Sequence, residues 1–132
     1  MIRFNFAATA FPVSDVGETA RWYRDVLGFK FDTFPKSEPF EWASVRRDNV
    51  EIMLQRAEGY RKPDLDPLRA GGVWNAYFYV DDVDTLYGTV KDRATVRRTP
   101  SDQPYDLREV EIADLNGYVL VFGENIQARA GQ

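Results

Sequence analysis

The sequence predicts an α+β fold built from two βαβββ modules. Two kinds of pattern alternate along the chain: period-2 alternation typical of strands, and apolar spacing typical of helices. One short motif also occurs twice, which indicates two copies of one structural unit. In this repeat Phe11, Val13, Asp15 and Val16 recur as Phe78, Val80, Asp82 and Val83.

The first module is predicted to span residues 1–56. Its opening strand is expected over residues 4–13. Asp15 is a candidate N-cap with Glu18 three residues later, and Gly28 is placed to end the helix in the left-handed conformation. Three further strands are predicted over residues 29–34, 40–46 and 50–55.

The second module is predicted to span residues 73–126, after a polar linker over residues 57–72 that contains Pro63, Pro67 and a Gly-Gly pair. Asn116-Gly117 is the strongest hairpin signal in the chain. The module repeats the order of the first, with a helix near 83–91 and strands near 74–80, 94–98, 107–113 and 117–123.

The length of the chain indicates one domain, residues 1–132, which is long enough to bury a single hydrophobic core. The formal net charge is −4 and no basic run would follow a phosphate backbone, which argues against nucleic acid binding. No apolar run approaches the length of a membrane span, and the start shows no signal-peptide pattern. We therefore expect a cytoplasmic protein without a membrane partner.

The sequence contains no histidine and no cysteine. Catalysis by Ser-His-Asp or Cys-His groups is therefore excluded. A metal site would need carboxylates, amides and water, which suit hard cations better than zinc or nickel.

Three segments resemble the vicinal oxygen chelate superfamily, which includes glyoxalase I, extradiol dioxygenases and bleomycin-resistance proteins. They are VSDVGETARWYRDVLGF, YVDDVDTLY and REVEIADLNGYVLVFGE, and their order is that of the family. The resemblance implies a cupped, eight-stranded mixed sheet, the glyoxalase/bleomycin resistance fold, commonly in a homodimer.

Metal-dependent members of this family hold the metal ion with four protein ligands. The resemblance implies that the corresponding positions in this chain are Ala8, Met53, Asn75 and Val121. Alanine and valine have no donor atom, methionine offers a soft thioether, and only Asn75 could supply an oxygen. Glu51 or Gln55 could restore one ligand after a shift in register, but not two. We therefore expect no metal and no cofactor, as in the bleomycin-resistance branch.

Strand parity places aromatic and polar residues together on the face that the family uses for ligands. Aromatic rings with a few fixed polar groups are typical of a small-molecule pocket. The predicted ligand is a small aromatic or hydrophobic molecule. The predicted ligand-binding residues are Trp42, Glu51, Met53, Gln55, Asn75, Tyr77, Tyr79, Glu111 and Val121.

Three functions fit these observations. The first is a metal-free binding protein that sequesters an aromatic or hydrophobic compound, such as an antibiotic. The second is a glyoxalase-like lyase, isomerase or other enzyme that uses a glutamate base, such as Glu51 or Glu111, without a transition metal. The third is a scaffold without a ligand. The altered ligand positions argue against a metal-dependent glyoxalase or dioxygenase. The binding protein is the first hypothesis, and no catalytic residue is assigned.

Overall fold

The computed structural model describes residues 1–127. The chain divides into two compact units, Met1–Arg61 (unit 1) and the chain from Lys62 onward (unit 2). In the described part of the chain, each unit contains one α-helix and one four-stranded sheet.

Unit 1 has the order strand, helix and three strands. The elements are β1 (Thr9–Val13), α1 (Val16–Leu27), β2 (Lys30–Phe34), β3 (Trp42–Arg47) and β4 (Val50–Arg56). In the sheet, β1 lies at one edge and pairs in parallel with β4, while β3 pairs antiparallel with both β4 and β2.

Unit 2 repeats this topology after a short 3-10 helix at Asp66–Leu68. The elements are β5 (Ala76–Tyr79), α2 (Val83–Val90), β6 (Thr95–Asp102), β7 (Leu107–Ala113) and β8 (Val119–Asn125). In the sheet, β5 pairs in parallel with β8, and β7 pairs antiparallel with both β8 and β6.

Both helices begin at the aspartates that the repeat singled out. The Asp15 carboxylate accepts a hydrogen bond from the Glu18 backbone N–H at 2.9 Å, and Asp82 accepts one from the Thr85 N–H at 3.0 Å. These bonds satisfy donors that the first helical turn leaves without an intrahelical partner. Gly28 ends α1 with φ of 71°, a conformation that favours glycine.

The helix of each unit covers one face of the sheet in that unit. In unit 1, Val45, Ile52 and Leu54 are fully buried on this side. In unit 2, Val110 and Ile112 are their counterparts. Alternation along each strand therefore turns the intervening residues toward the opposite face.

The predicted strand boundaries lie within two residues of the observed ones except at two places. β1 begins at Thr9, and residues 1–8 form no strand, although the prediction started at residue 4. β6 continues to Asp102 and includes Pro100, which was predicted to lie in a loop after residue 98. An edge strand tolerates proline because one side of its backbone needs no partner.

The predicted α+β fold of two βαβββ modules is confirmed, with eight strands in two mixed sheets of four among residues 1–127. The assignment of residues 1–132 to one domain stays a prediction. No helix within residues 1–127 combines the length and apolar character needed to cross a membrane. The cytoplasmic location also stays a prediction.

Candidate functional site

The face of the unit 2 sheet that points away from α2 carries aromatic rings and carboxylates close together. Register places Tyr77 beside Val121, and Glu109 beside Gly123, so that β5, β8 and β7 all contribute. We refer to this group as the acid–aromatic cluster; it consists of Trp74, Tyr77, Tyr79, Tyr105, Glu109 and Glu111.

Glu109 lies at the centre of the hydrogen bonds in this cluster and is only 6% exposed. The Tyr77 hydroxyl donates to Oε2 at 2.7 Å, and the Tyr105 hydroxyl donates to Oε1, also at 2.7 Å. Each carboxylate oxygen therefore accepts a bond from a phenol. Within residues 1–127, no lysine or arginine forms an ion pair with Glu109.

The position of Tyr77 depends on Gly123. A Cβ atom built at residue 123 would lie 1.9 Å from the Tyr77 hydroxyl oxygen, far inside van der Waals contact. Only glycine therefore leaves space for the Tyr77 side chain to cross β8 and reach Glu109.

Glu111 has different partners. It is 4% exposed and accepts a hydrogen bond from Trp74 Nε1 at 2.8 Å. Two guanidinium groups lie at ion-pair distance from its carboxylate: Arg97 at 3.8 Å and Arg98 at 3.9 Å. The negative charge of Glu111 is therefore largely balanced within unit 2.

The aromatic rings of the cluster touch one another and are partly open. The Trp74 and Tyr77 ring centroids are 5.4 Å apart, and those of Tyr77 and Tyr79 are 5.2 Å apart. Trp74 is 43% exposed, Tyr79 73% and Tyr105 49%. The unit therefore presents ring surface whose polar ends, in Trp74, Tyr77 and Tyr105, are already bonded.

Both phenols bonded to Glu109 are weaker acids than usual. Burial, followed by the hydrogen bond to Glu109 and its negative charge, raises the pKa of Tyr77 well above its ordinary value. The same causes raise the pKa of Tyr105 to about 12. Both hydroxyls therefore keep their protons at neutral pH and act as donors.

On the corresponding face of unit 1, the central carboxylate is Glu51. Ser44 Oγ donates to it at 2.6 Å and the Arg46 guanidinium at 3.0 Å. The Ser44 bond, with the bond and charge of Arg46, holds the pKa of Glu51 below its usual range despite burial. Glu51 is therefore a weakened base with its charge already paired.

The residues present do not fit the metal site that the family resemblance implies. Asn75, the one position of the four with an oxygen, uses its Oδ1 to accept a hydrogen bond from the Val119 backbone N–H at 2.8 Å. Val121 is fully buried and has no donor atom, and Ala8 has none either. Across the described 127 residues, no group of three or more aspartate or glutamate side chains is arranged to hold a metal ion.

The structure divides the predicted ligand-binding residues between the units. Tyr77, Tyr79 and Glu111 belong to the acid–aromatic cluster, Val121 pairs with Tyr77 on β8, and Asn75 directly precedes β5. The unit 1 sheet carries the other four: Trp42 and Met53 are half-buried, Glu51 is buried and Gln55 is exposed.

Three members of the cluster are absent from that prediction. Glu109 lies two residues before Glu111, so alternation alone places both on one face. Trp74 precedes the first residue of β5, where strand parity no longer fixes the direction of a side chain. Tyr105 comes from the loop before β7, which carries no periodic signal.

The fold resembles those of several solved structures. TioX from Micromonospora sp. ML1 has a TM-score of 0.74 at 20% identity, over 92% of this chain and 99% of that one. The antibiotic-binding protein TnmS3 from Streptomyces sp. CB03234 has a TM-score of 0.69 at 19% identity, over 95% and 98%.

The bleomycin-binding protein from Streptomyces verticillus, in a complex with copper(II)-bleomycin, has a TM-score of 0.66 at 20% identity, over 92% of this chain and 97% of that one. A search of curated proteins finds no match. At these identities the likeness concerns the fold.

The model of one protein family matches residues 5–122, nearly the whole chain. The chain therefore belongs to the Glyoxalase/Bleomycin resistance protein/Dioxygenase superfamily.

Proposed function

We propose that the protein binds a small aromatic or hydrophobic molecule at the acid–aromatic cluster and does so without a metal ion. One observation carries the proposal: the polar ends of Trp74, Tyr77 and Tyr105 are bonded to buried carboxylates while ring surface stays open. A ligand can therefore stack on rings that are already held in place.

Such an arrangement lowers the entropic cost of binding, because the side chains are ordered before the ligand arrives. Each aromatic contact contributes about 0.5–1.5 kcal/mol beyond the burial of apolar area. Two or three contacts with Trp74, Tyr77 and Tyr79, together with that burial, are sufficient for micromolar affinity.

Two similar folds belong to proteins described as binding bleomycin and as binding an antibiotic. They support antibiotics as the first class of compound to test. Sequestration of such a compound would give resistance without chemical conversion.

The enzymatic alternative gains no support from Glu51. A general base works best with a pKa near the operating pH, whereas the hydrogen bonds from Ser44 and Arg46 lower the pKa of this carboxyl. The high pKa values of Tyr77 and Tyr105 also make these phenols poor proton donors in a reaction at neutral pH.

The proposal is tested by titrating the protein with bleomycin and with a panel of polycyclic aromatic antibiotics, and following tryptophan fluorescence and melting temperature. We expect at least one compound to quench fluorescence and raise the melting temperature. Trp74→Ala should abolish both responses. Tyr60→Ala removes a 39%-exposed aromatic ring from unit 1 and should leave them unchanged.

Absence of a response to every compound would favour the scaffold hypothesis. Conversion of a compound into a product, lost in Glu111→Gln, would favour the enzyme.

We also propose that the protein is a homodimer. The segment before β1 carries Ile2, Phe4 and Phe6 with 89%, 94% and 73% of their surface exposed, an apolar alternation that favours burial against another chain. Sedimentation analysis should give twice the mass of one chain, and removal of residues 1–7 should shift the equilibrium toward the monomer. A monomeric intact protein would refute this proposal.

A further inference from the structure

We propose that Glu109 is the anionic group of a cation-recognition subsite, so that the ligand is a planar organic cation. The inference rests on the function proposed above and narrows its ligand class. It goes beyond stacking because it assigns a charge to the compound.

The three buried carboxylates on these sheet faces differ in how their charge is balanced. Glu51 has Arg46 at 3.0 Å, and Glu111 has Arg97 and Arg98 just within 4 Å. Glu109 is as deeply buried as Glu51, at 6% exposure, but among residues 1–127 it forms no ion pair with an arginine or lysine.

The two tyrosines orient this carboxylate without neutralising it. A phenol is uncharged at neutral pH, so the bonds from Tyr77 and Tyr105 leave one negative charge on Glu109. A buried charge is costly unless it is paired, which makes this position favourable for a cation brought by the ligand.

The surrounding rings favour a cation as well. An aromatic ring carries negative electrostatic potential on its face, and a positive charge within about 6 Å of the ring centre is attracted to it. Trp74 lies against Tyr77, and both rings belong to the same cluster as the carboxylate. Charge pairing and cation–π attraction therefore act on the same part of the ligand.

The geometry indicates an organic cation and not a metal ion. Hard metal ions require several oxygen ligands around one point. Both oxygens of Glu109 already accept a phenol hydrogen bond, and the described residues hold no group of three acidic side chains suited to a metal. A diffuse cation such as an N-alkylated heteroaromatic needs neither several ligands nor full access to the oxygens.

The test uses two planar probes of nearly the same shape, 1-methylquinolinium and its neutral isostere 1-methylnaphthalene, with affinities measured by tryptophan fluorescence. We expect the intact protein to bind the cation at least about tenfold more tightly. Glu109→Gln keeps the size of the side chain and should bring this ratio down toward one, because it weakens binding of the cation more than binding of the neutral probe. Glu58→Gln removes an equal charge from an exposed side chain of unit 1 and should keep the ratio.

Equal affinities of the intact protein for both probes would overturn the cation inference and leave the proposed function standing. A tenfold preference that persists in Glu109→Gln would overturn the role of Glu109. If neither probe nor any compound of the aromatic panel binds, the inference and the proposed function both fail; if only the panel binds, the inference alone fails.

A second variant covers the case in which Glu109→Gln does not fold. Tyr105→Phe keeps the ring and frees Oε1 of Glu109, so we expect the preference for 1-methylquinolinium to rise. A fall of that preference to one would contradict the inference.

Discussion

The two units share one topology, yet the same sheet face carries different chemistry in each. In unit 1 the first strand places Ala10 beside Met53. In unit 2 the equivalent register position holds Tyr77 beside Val121. Unit 1 therefore has a small side chain where unit 2 has a large aromatic one that reaches across its sheet.

The buried carboxylates on these two sheet faces also differ, both in the strand that carries them and in their partners. Glu51 lies on the last strand of unit 1 and pairs with an arginine, whereas Glu109 lies on the third strand of unit 2 and is bonded by two phenols. The two units therefore share backbone pairing and helix caps, while the side chains on the opposite sheet face differ. Four predictions test how far the units differ, in order of decreasing effect.

Gly123→Ala should lower the free energy of unfolding by about 1–3 kcal/mol, because the new Cβ displaces Tyr77 from Glu109. The matched position in unit 1 is the exposed Gln55, and Gln55→Ala should change stability by less than about 0.5 kcal/mol. Urea unfolding measures both. If Tyr77→Ala is added to Gly123→Ala, the double variant should lose less than the sum of the two single losses; strict additivity would contradict the clash.

Glu51→Gln should cost about 1–2 kcal/mol at neutral pH, because a buried charge-assisted hydrogen bond is weakened. The pKa of Glu51 is lower in the folded state than its ordinary value of 4.5, so the folded protein binds fewer protons in that range. The contribution of ionised Glu51 to the free energy of unfolding is therefore complete above pH 4.5. It is lost as the pH falls through the folded-state pKa of this carboxyl.

The cost of Glu51→Gln should accordingly shrink in urea unfolding below pH 4.5. Glu58→Gln, at an exposed side chain, is the control and should cost little at any pH. A cost that is constant across the acid range would refute the assigned pKa shift.

Removal of either helix cap should have a similar, smaller effect. Asp15→Ala and Asp82→Ala each remove the acceptor for a first-turn N–H, and each should cost about 1 kcal/mol by thermal or urea unfolding. Asp82 also accepts from the Thr85 hydroxyl at 2.7 Å, so its loss should be slightly greater. A negligible cost at Asp82 would show that the repeat is not equivalent at this point.

Tyr105→Phe should cost about 0.5 kcal/mol at neutral pH, since it removes one hydrogen bond at a half-exposed residue. The pKa of Tyr105 is raised above its ordinary value of 10.0 to about 12, so folding favours the protonated phenol. The contribution of the protonated Tyr105 phenol to the free energy of unfolding is complete below pH 10 and declines as the pH rises toward 12. Absorbance titration should therefore show one late-titrating tyrosine fewer in Tyr105→Phe than in the intact protein.

Periodicity and caps predicted most of the fold because both are local. Helix α1 is specified by Asp15 and Gly28, and the alternation around Ile52 and Val110 assigns the buried faces. The errors have physical causes outside these patterns. Residues 1–8 alternate as a strand does but pair with no strand in the described chain, and Pro100 is accommodated because β6 is an edge.

The site was predicted less completely because it depends on contacts between distant residues. Parity placed Tyr77 and Glu111 on one face, but a sequence does not show that Tyr77 crosses to Glu109, 32 positions away. Nor does it show that Gly123 makes the crossing possible. Trp74 and Tyr105 lie outside the strands, where no periodic rule specifies a direction.

The irregular edge strand β6 has a consequence for behaviour at high concentration. Its ladder shifts between Val96 and Arg98 and again between Arg98 and Ser101, and it contains Pro100. A strand with broken register, a missing N–H and a charged side chain is a poor template for a strand from another molecule. This side of the sheet is therefore protected from fibril-like polymerisation, and replacing Pro100 with a β-branched residue would remove part of that protection.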